Sequence, residues 1–314
     1  MKATELLTEK RTLVSFHSRG DIDAVASAIA LSNLLPKSSY ASPGELQSSA
    51  VRLLQSLGWP MPVVNSQTLQ GFERLVLIDS SSRGHFDDPL LFESFKGEKL
   101  SIDHHYHSQR LKGFKFAIDR NASSCSEIVY EMYCKKSKKT PREIALLLAC
   151  GLYADSGNFR SARTQSFHAF SELLKLANTD YETVRKLAGS LPSAEQRRVT
   201  LDAVAQCKRT NVGERLVCTS KAKGFGLACA TALVASGCDA AFVASPDGRI
   251  AGAKNDLLER VNVGKIMEDA GNAVKGSGGG HENVGGCNGE PSLTEKGLRA
   301  CVETFRRQVT RRAR

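Results

Sequence analysis

Four times along this chain a short apolar run stops at a carboxylate or an imidazole. "TLVSF" (12–16) leads into His17, Asp21 and Asp23, and "RLVLI" (74–78) stops at Asp79. "KLSI" (99–102) stops at Asp103, His104 and His105, and "ALLLACGLYA" (145–154) stops at Asp155. The first three runs have the length and aliphatic content of buried strands. The fourth follows Pro141 and reads as a helix with proline at its opening. In an open parallel sheet the carboxyl ends of the strands share one edge, and ligands bind in the crevice outside it. If the three strands are neighbours, their terminal side chains converge. A helix bringing Asp155 beside them completes a cluster.

The segments between these runs fit that layout. "AVASAIALSNLL" (24–35) is a tightly packed helix stopped by Pro36, and "ELQSSAVRLLQSLG" (45–58) is a helix closed by Gly58. "SSCSEIVYEMYCKK" (123–136) is a third. Alternating strands and helices predict an α/β fold, a mostly parallel sheet with helices on both faces. Residues 180–210 carry no strand pattern and read as a helical connector. A second alternating set follows: strands "RLVCTS", "AAFVAS" and "RIAGAK", with helices "GFGLACATALVAS" and "VGKIMEDAG". "GSGGGHENVGGCNG" (276–289) reads as irregular, and "SLTEKGLRACVETFRRQV" as a closing helix capped by Ser292, with Glu295 at capping-box spacing. The expected division is a domain over 1–185, a helical linker over 186–212 and a smaller α/β domain over 213–314.

Several classes are excluded. No apolar run approaches the roughly 20 residues of a membrane helix, and "MKATELLTEKR" has mixed charges and no apolar core, unlike a secretory signal. A cytoplasmic protein without membrane association is expected. Nine cysteines without a C-x-x-C pair read as buried free thiols in a reducing compartment. The net charge of +10 favours anionic partners, and residues 299–314 hold six arginines against one glutamate.

A single Asp at a strand end is ordinarily a turn or cap residue. Four such spots in one setting point elsewhere. Packed carboxylates repel unless cations neutralise them. Mixed imidazole and carboxylate donors suit Mn²⁺ and similar ions. A carboxylate can bridge two such ions about 4 Å apart, the arrangement that activates water in phosphoryl displacement.

The set His17-x-x-x-Asp21-x-Asp23, strand-end Asp79, Asp103-His104-His105, and Asp155 in "GLYADSGNF" resembles the four motifs of the DHH phosphoesterase superfamily. "GSGGGHENVGG" (276–286) resembles the GGGH signature of the DHH-associated C-terminal domain. The resemblance implies a parallel-sheet N-terminal domain, a helical linker and a smaller α/β domain, with the active site in the interdomain cleft. It implies that His17, Asp21 and Asp79 hold one Mn²⁺, and that Asp23, Asp79, His104 and Asp155 hold a second, with Mg²⁺ or Co²⁺ as substitutes. His105 would meet the substrate phosphate as a contact or proton donor, Asp103 would orient the histidines, and a hydroxide generated at the ions would attack phosphorus. Gly278, Gly279, Gly280 and His281 would hold the distal phosphate or nucleotide, with Lys254 near them. Arg19-Gly20 and Ala24 stand where many relatives carry Asn-Pro and Gly.

The size, the membrane criterion and the glycine loop leave the compact form of the family, which resembles nanoRNases and small RecJ-like exonucleases. The expected activity is hydrolysis of short single-stranded RNA or DNA, and of nucleotide phosphates such as 3′-phosphoadenosine 5′-phosphate. A homodimer is compatible with this. Two alternatives stay open: an exopolyphosphatase-like phosphatase, since aromatics are only 6% of the chain, and a catalytically silent nucleic-acid-binding replication factor. His85 and His107 fit no motif position, and Arg160 and Arg163 could meet phosphate.

Overall fold

In the computed structural model, which describes residues 9–105, 110–136, 139–189 and 192–310, the chain divides into two compact units, Met1–Ser190 and Leu191–Arg314. The first contains, in order, β1 (Thr12–Ser15), α1 (Ile22–Leu34), β2 (Ser38–Tyr40), α2 (Ser48–Leu57), α3 (Ser66–Leu69), β3 (Arg74–Ile78), α4 (Pro89–Glu93), β4 (Glu98–Asp103), β5 (Lys115–Ile118), α5 (Cys125–Lys135), α6 (Arg142–Asp155), α7 (Thr164–Ala177) and α8 (Tyr181–Ala188). Its five strands are all parallel, in the order β2-β1-β3-β4-β5.

The three apolar runs are therefore neighbours at the centre of the sheet. Val14 and Val76, with Ile78 and Ile102, face α1, α5, α6 and α7 in one core. Leu13, Leu75 and Leu77 face Phe86 and Phe92 in another. Burial on both faces is why these runs are continuously apolar rather than alternating. Edge strands β2 and β5, only partly buried, have no such pattern. Gly58 closes α2 in the left-handed conformation, as its position predicts.

The second unit holds α9 (Ala194–Ala205), β6 (Lys208–Val212), β7 (Arg215–Lys221), α10 (Gly226–Ala235), β8 (Ala240–Ala244), β9 (Arg249–Lys254), α11 (Val263–Ala273), β10 (Ser277–Gly280), β11 (Val284–Asn288) and α12 (Thr294–Thr310). Its mixed six-stranded sheet runs β10-β11-β9-β8-β7-β6. Only β7 and β8 pair in parallel.

Four sequence expectations change here. The connector over 186–212 does not stand apart: α9 packs its Ala203 into the core under α10, and residues 208–212 form edge strand β6. The glycine-dense stretch is not irregular, because Ser277–Gly280 pairs antiparallel with Gly285–Asn288. The closing helix starts at Thr294, after a 3₁₀ turn over Pro291–Leu293 that absorbs Ser292. Finally, Cys218 and Cys238 form a disulfide, while the other seven cysteines are free. Cys238 lies just before β8, whose parallel pairing with β7 brings it to Cys218 from 20 residues away.

Candidate metal centre

The site is built on the carboxyl ends of β1, β3 and β4. At the end of β3 the backbone of Asp79 enters the left-handed region, φ 58°, and its N–H donates to Ile102 O at 2.8 Å. That twist turns a residue next in line after a buried strand toward its neighbours. Asp79 Oδ2 lies 3.5 Å from His17 Nε2, and Oδ1 lies 3.5 Å from His104 Nε2 and 3.6 Å from His105 Nδ1. Asp21, which caps α1 by accepting from the Ala24 N–H, stands 3.9 Å from His17 Nε2.

Asp23 sits in the first turn of α1 and is buried. Its two carboxylate oxygens accept the backbone N–H groups of Cys125 (2.7 Å) and Ser126 (2.9 Å), the unpaired donors that open α5. Gly151 lets α6 pass close by, since a Cβ there would collide with Ser126 Oγ and stand 2.9 Å from Asp23 Oδ1. At the end of α6, Asp155 Oδ2 is 3.0 Å from His104 Nε2. Asp103 is fully buried and accepts from both the backbone N–H and Nδ1 of His105, at 2.9 and 3.1 Å. That pair fixes the half-exposed ring of His105 through its Nδ1.

The electrostatics of this packing are strained. Burial, then Asp155 and Asp79, push the Asp23 carboxyl well above the usual range. Burial also works against Asp79, but His104, His105 and His17 hold its carboxyl well below that range. Burial would depress the histidines. Asp79 instead raises His17 to about 9, while Asp155 and Asp79 raise His104 to about 11. His105 rises to about 10, first through Asp103 and then Asp79.

His104 Nε2, Asp155 Oδ2 and Asp103 Oδ2 are buried without a hydrogen-bond partner. Orphaned buried atoms of this kind are costly unless something else engages them. Two donors bound to one ion at metal–ligand distances of about 2.0–2.3 Å stand roughly 3.3–3.8 Å apart in tetrahedral geometry. The Asp79 spacings to His17 and His104 match. Among the described residues, three sets of donors lie within 4.8 Å of one another: His17, Asp21 and Asp79; Asp23, Asp79, His104 and Cys125; and Asp79, Asp103, His104 and His105. Asp79 belongs to all three. These residues fit divalent cations.

Some neighbours carried no sequence signal. His85, which fits no motif position, lines a cavity of about 560 Å³ with His17, Arg19, Asp21, Asp79, His105 and Asp155. Cys125 and Gly151 join the site only through the packing of α5 and α6. Arg163 bonds Asn121 on the surface rather than the cluster. His107 lies outside the described residues.

In the second unit, β10 and β11 form a hairpin with His281 exposed at its tip. The carbonyls of His281 and Glu282 accept from Gly264 and Val263 at the start of α11. Lys254 is buried: its Nζ donates to Leu258 O at 2.7 Å and lies 3.6 Å from Glu282. The glycines differ in kind. A Cβ at Gly278 would collide with the Met267 carbonyl, whereas at Gly279 it would meet open space. Gly278 and Gly279 border a cavity of about 630 Å³ with Phe225, Arg249 and Asn288.

Comparison with known proteins agrees with this architecture. Residues 11–152 match the DHH family, N-terminal domain, and residues 235–309 match the DHHA1 domain. The chain is 25% identical over 301 residues to the uncharacterized protein MJ0988 of Methanocaldococcus jannaschii, covering 92% of this chain and 90% of that one. It is 26% identical over 186 residues to the "Probable bifunctional oligoribonuclease and PAP phosphatase NrnA" of Streptococcus mutans, covering 57% of each. An exopolyphosphatase-related protein from Bacteroides fragilis shares the fold, with a TM-score of 0.75 at 15% identity over 98% of this chain and 96% of that one. The parallel sheet, the converging carboxylates and the glycine hairpin thus belong together: the chain is a member of the DHH phosphoesterase superfamily with a C-terminal DHHA1 domain.

Proposed function

We propose that this protein is a divalent-metal-dependent phosphodiesterase that trims short single-stranded oligonucleotides, nanoRNase- or RecJ-like, and also hydrolyses 3′-phosphoadenosine 5′-phosphate. The observation that carries the reading is Asp79, whose two oxygens face different imidazoles. In this scheme His17, Asp21 and Asp79 hold one Mn²⁺, and Asp23, Asp79, His104 and Asp155 the other. Bound there, the ions would neutralise the carboxylates, acidify water and offset phosphate charge. Asp103 fixes the ring of His105, which donates a hydrogen bond or proton to a phosphate oxygen or the departing alkoxide. Gly279 leaves backbone open for the distal end of the substrate, His281 contacts its phosphate, Gly278 and Gly280 shape the hairpin, and Lys254 supports the tip from beneath.

An aromatic group supports a base-bearing substrate over polyphosphate. Four residues after Asp155, Phe159 stacks on Phe167, centroids 5.2 Å apart, with Tyr153, Phe170 and Tyr181 packed around it. Phe167 and Tyr181 are 52% and 46% exposed. Five of the chain's twenty aromatic residues thus form a group on which bases could stack. A cytoplasmic location belongs to the same reading; seven free thiols favour it and the Cys218–Cys238 bridge does not. Among the described residues no helix is long and apolar enough to cross a membrane.

The test is hydrolysis of a labelled short oligonucleotide, 3′-phosphoadenosine 5′-phosphate and polyphosphate with Mn²⁺, for wild type and Asp79→Asn. Cleavage of the first two, lost in the variant, is expected. Activity on polyphosphate alone would overturn the nuclease reading. No activity on any of them would return the chain to a silent binding role.

A further inference from the structure

One nucleophilic side chain inside the cluster has no task in the scheme above. Cys125 opens α5 and is fully buried. Its Sγ lies 3.8 Å from Asp79 Oδ1. With Asp23, Asp79 and His104 it forms a set whose donor atoms all lie within 4.8 Å of one another. His104 Nε2 belongs to that set, its side chain nine-tenths buried and the nitrogen without a hydrogen-bond partner.

The bland role for Cys125 is a small apolar filler beneath the metal centre. Its spacing argues for more. A sulfur and an oxygen bound to one ion stand about 3.6 Å apart in tetrahedral geometry, close to the separation from Asp79. The backbone N–H of the same residue already holds Asp23. Cys125 is thereby tied to two of the carboxylates proposed to hold the second ion.

We propose that Cys125 is a thiolate ligand of that second ion, which shifts the position toward thiophilic cations such as Zn²⁺, Cd²⁺ or Co²⁺ relative to the sulfur-free first position. The inference rests on the reading that the cluster binds divalent ions. A soft sulfur donor among hard carboxylates shifts affinity toward the later, softer metals. Binding breaks the S–H bond, forms a metal–sulfur bond and releases one proton to water; no oxidant is needed. The first position, with His17, Asp21 and Asp79, has no sulfur in its donor set and keeps the hard-ion preference.

The experiment is a cobalt titration of the full-length metal-free protein, followed by absorption. A sulfur-to-cobalt charge-transfer band in the near ultraviolet is expected in wild type. Cys125→Ser should lose that band while keeping the visible d–d bands of bound cobalt. Its preference for Cd²⁺ over Mn²⁺ should fall at least about tenfold, by equilibrium dialysis. Visible cobalt bands without a sulfur band, or a sulfur band that survives in Cys125→Ser, would overturn the proposal. No cobalt bands at all would overturn the metal-centre reading itself, and this ligand with it. Should the variant fail to fold, cadmium-113 NMR of the wild type decides. A resonance in the range of sulfur-ligated cadmium supports the thiolate, and only oxygen- and nitrogen-type resonances overturn it.

Discussion

His104 Nε2 and Asp155 Oδ2 face each other across 3.0 Å inside the first unit, as an ion pair whose angles do not make a hydrogen bond. In the metal-free protein a proton on His104 offsets the Asp155 charge, and a divalent cation would take that proton's place. Asp155→Asn keeps the shape and removes the charge. It should lower hydrolysis by about 10²-fold or more and reduce bound divalent metal from two ions per chain to one, measured by elemental analysis after dialysis. Unchanged metal content would remove Asp155 from the ligands.

Asp103 never reaches the open side of the site, yet it accepts two hydrogen bonds from His105. Asp103→Asn should cost roughly 10–100-fold in kcat, the usual effect of losing a partner that orients a functional imidazole. Metal content should stay near wild type. A loss of metal matching the loss of rate would instead make Asp103 a ligand.

Protons and metal ions compete for the same imidazoles. In the metal-free protein His17 titrates at about 9 and His104 at about 11, against about 6.5 in an unfolded chain. Folded values raised in this way contribute stability that is complete below about 6.5 and lost as pH climbs through about 9 to about 11. Asp23, pushed up by burial and by Asp155 and Asp79, acts in the same direction. The metal-free Tm should therefore fall across that window, while apparent metal affinity rises with pH as fewer protons must be displaced. Calorimetry at several pH values with and without Mn²⁺ checks both; a flat metal-free profile would contradict the imidazole–carboxylate pairing.

Adjacent glycines of the hairpin should respond differently to one methyl group. Gly278→Ala meets the Met267 carbonyl and should destabilise the protein by about 1–3 kcal/mol. Gly279→Ala meets nothing, so its Tm should stay within a degree or two of wild type. Its KM for an oligonucleotide should rise. Equal losses of Tm in the two variants would refute this division.

The central strands and the eight acidic and imidazole residues at their ends were legible because burial on both faces writes a continuous apolar run that a polar end punctuates. β2 ("SSY"), β6 ("KRTNV") and the β10–β11 hairpin were not. They are edge or glycine strands, held by backbone ladders that leave little trace in side-chain pattern. Cys125, Gly151 and His85 were missed for another reason: their place depends on which helix passes which, and no local spacing encodes that. The aromatics were hidden in their average. A low overall fraction said nothing of four rings gathered around Phe159.

The left-handed backbone at Asp79 also limits how this centre can be re-engineered. Aspartate, asparagine and glycine tolerate φ near 58°, while β-branched residues pay heavily for it. A laboratory selection for a new metal preference would find that position almost closed. The roomier routes run through residues on ordinary helical backbone, such as Cys125 and Asp155. For the same reason Asp79→Asn is a cleaner inactivating variant than Asp79→Ala, because it removes charge without adding a conformational penalty to the chemical one.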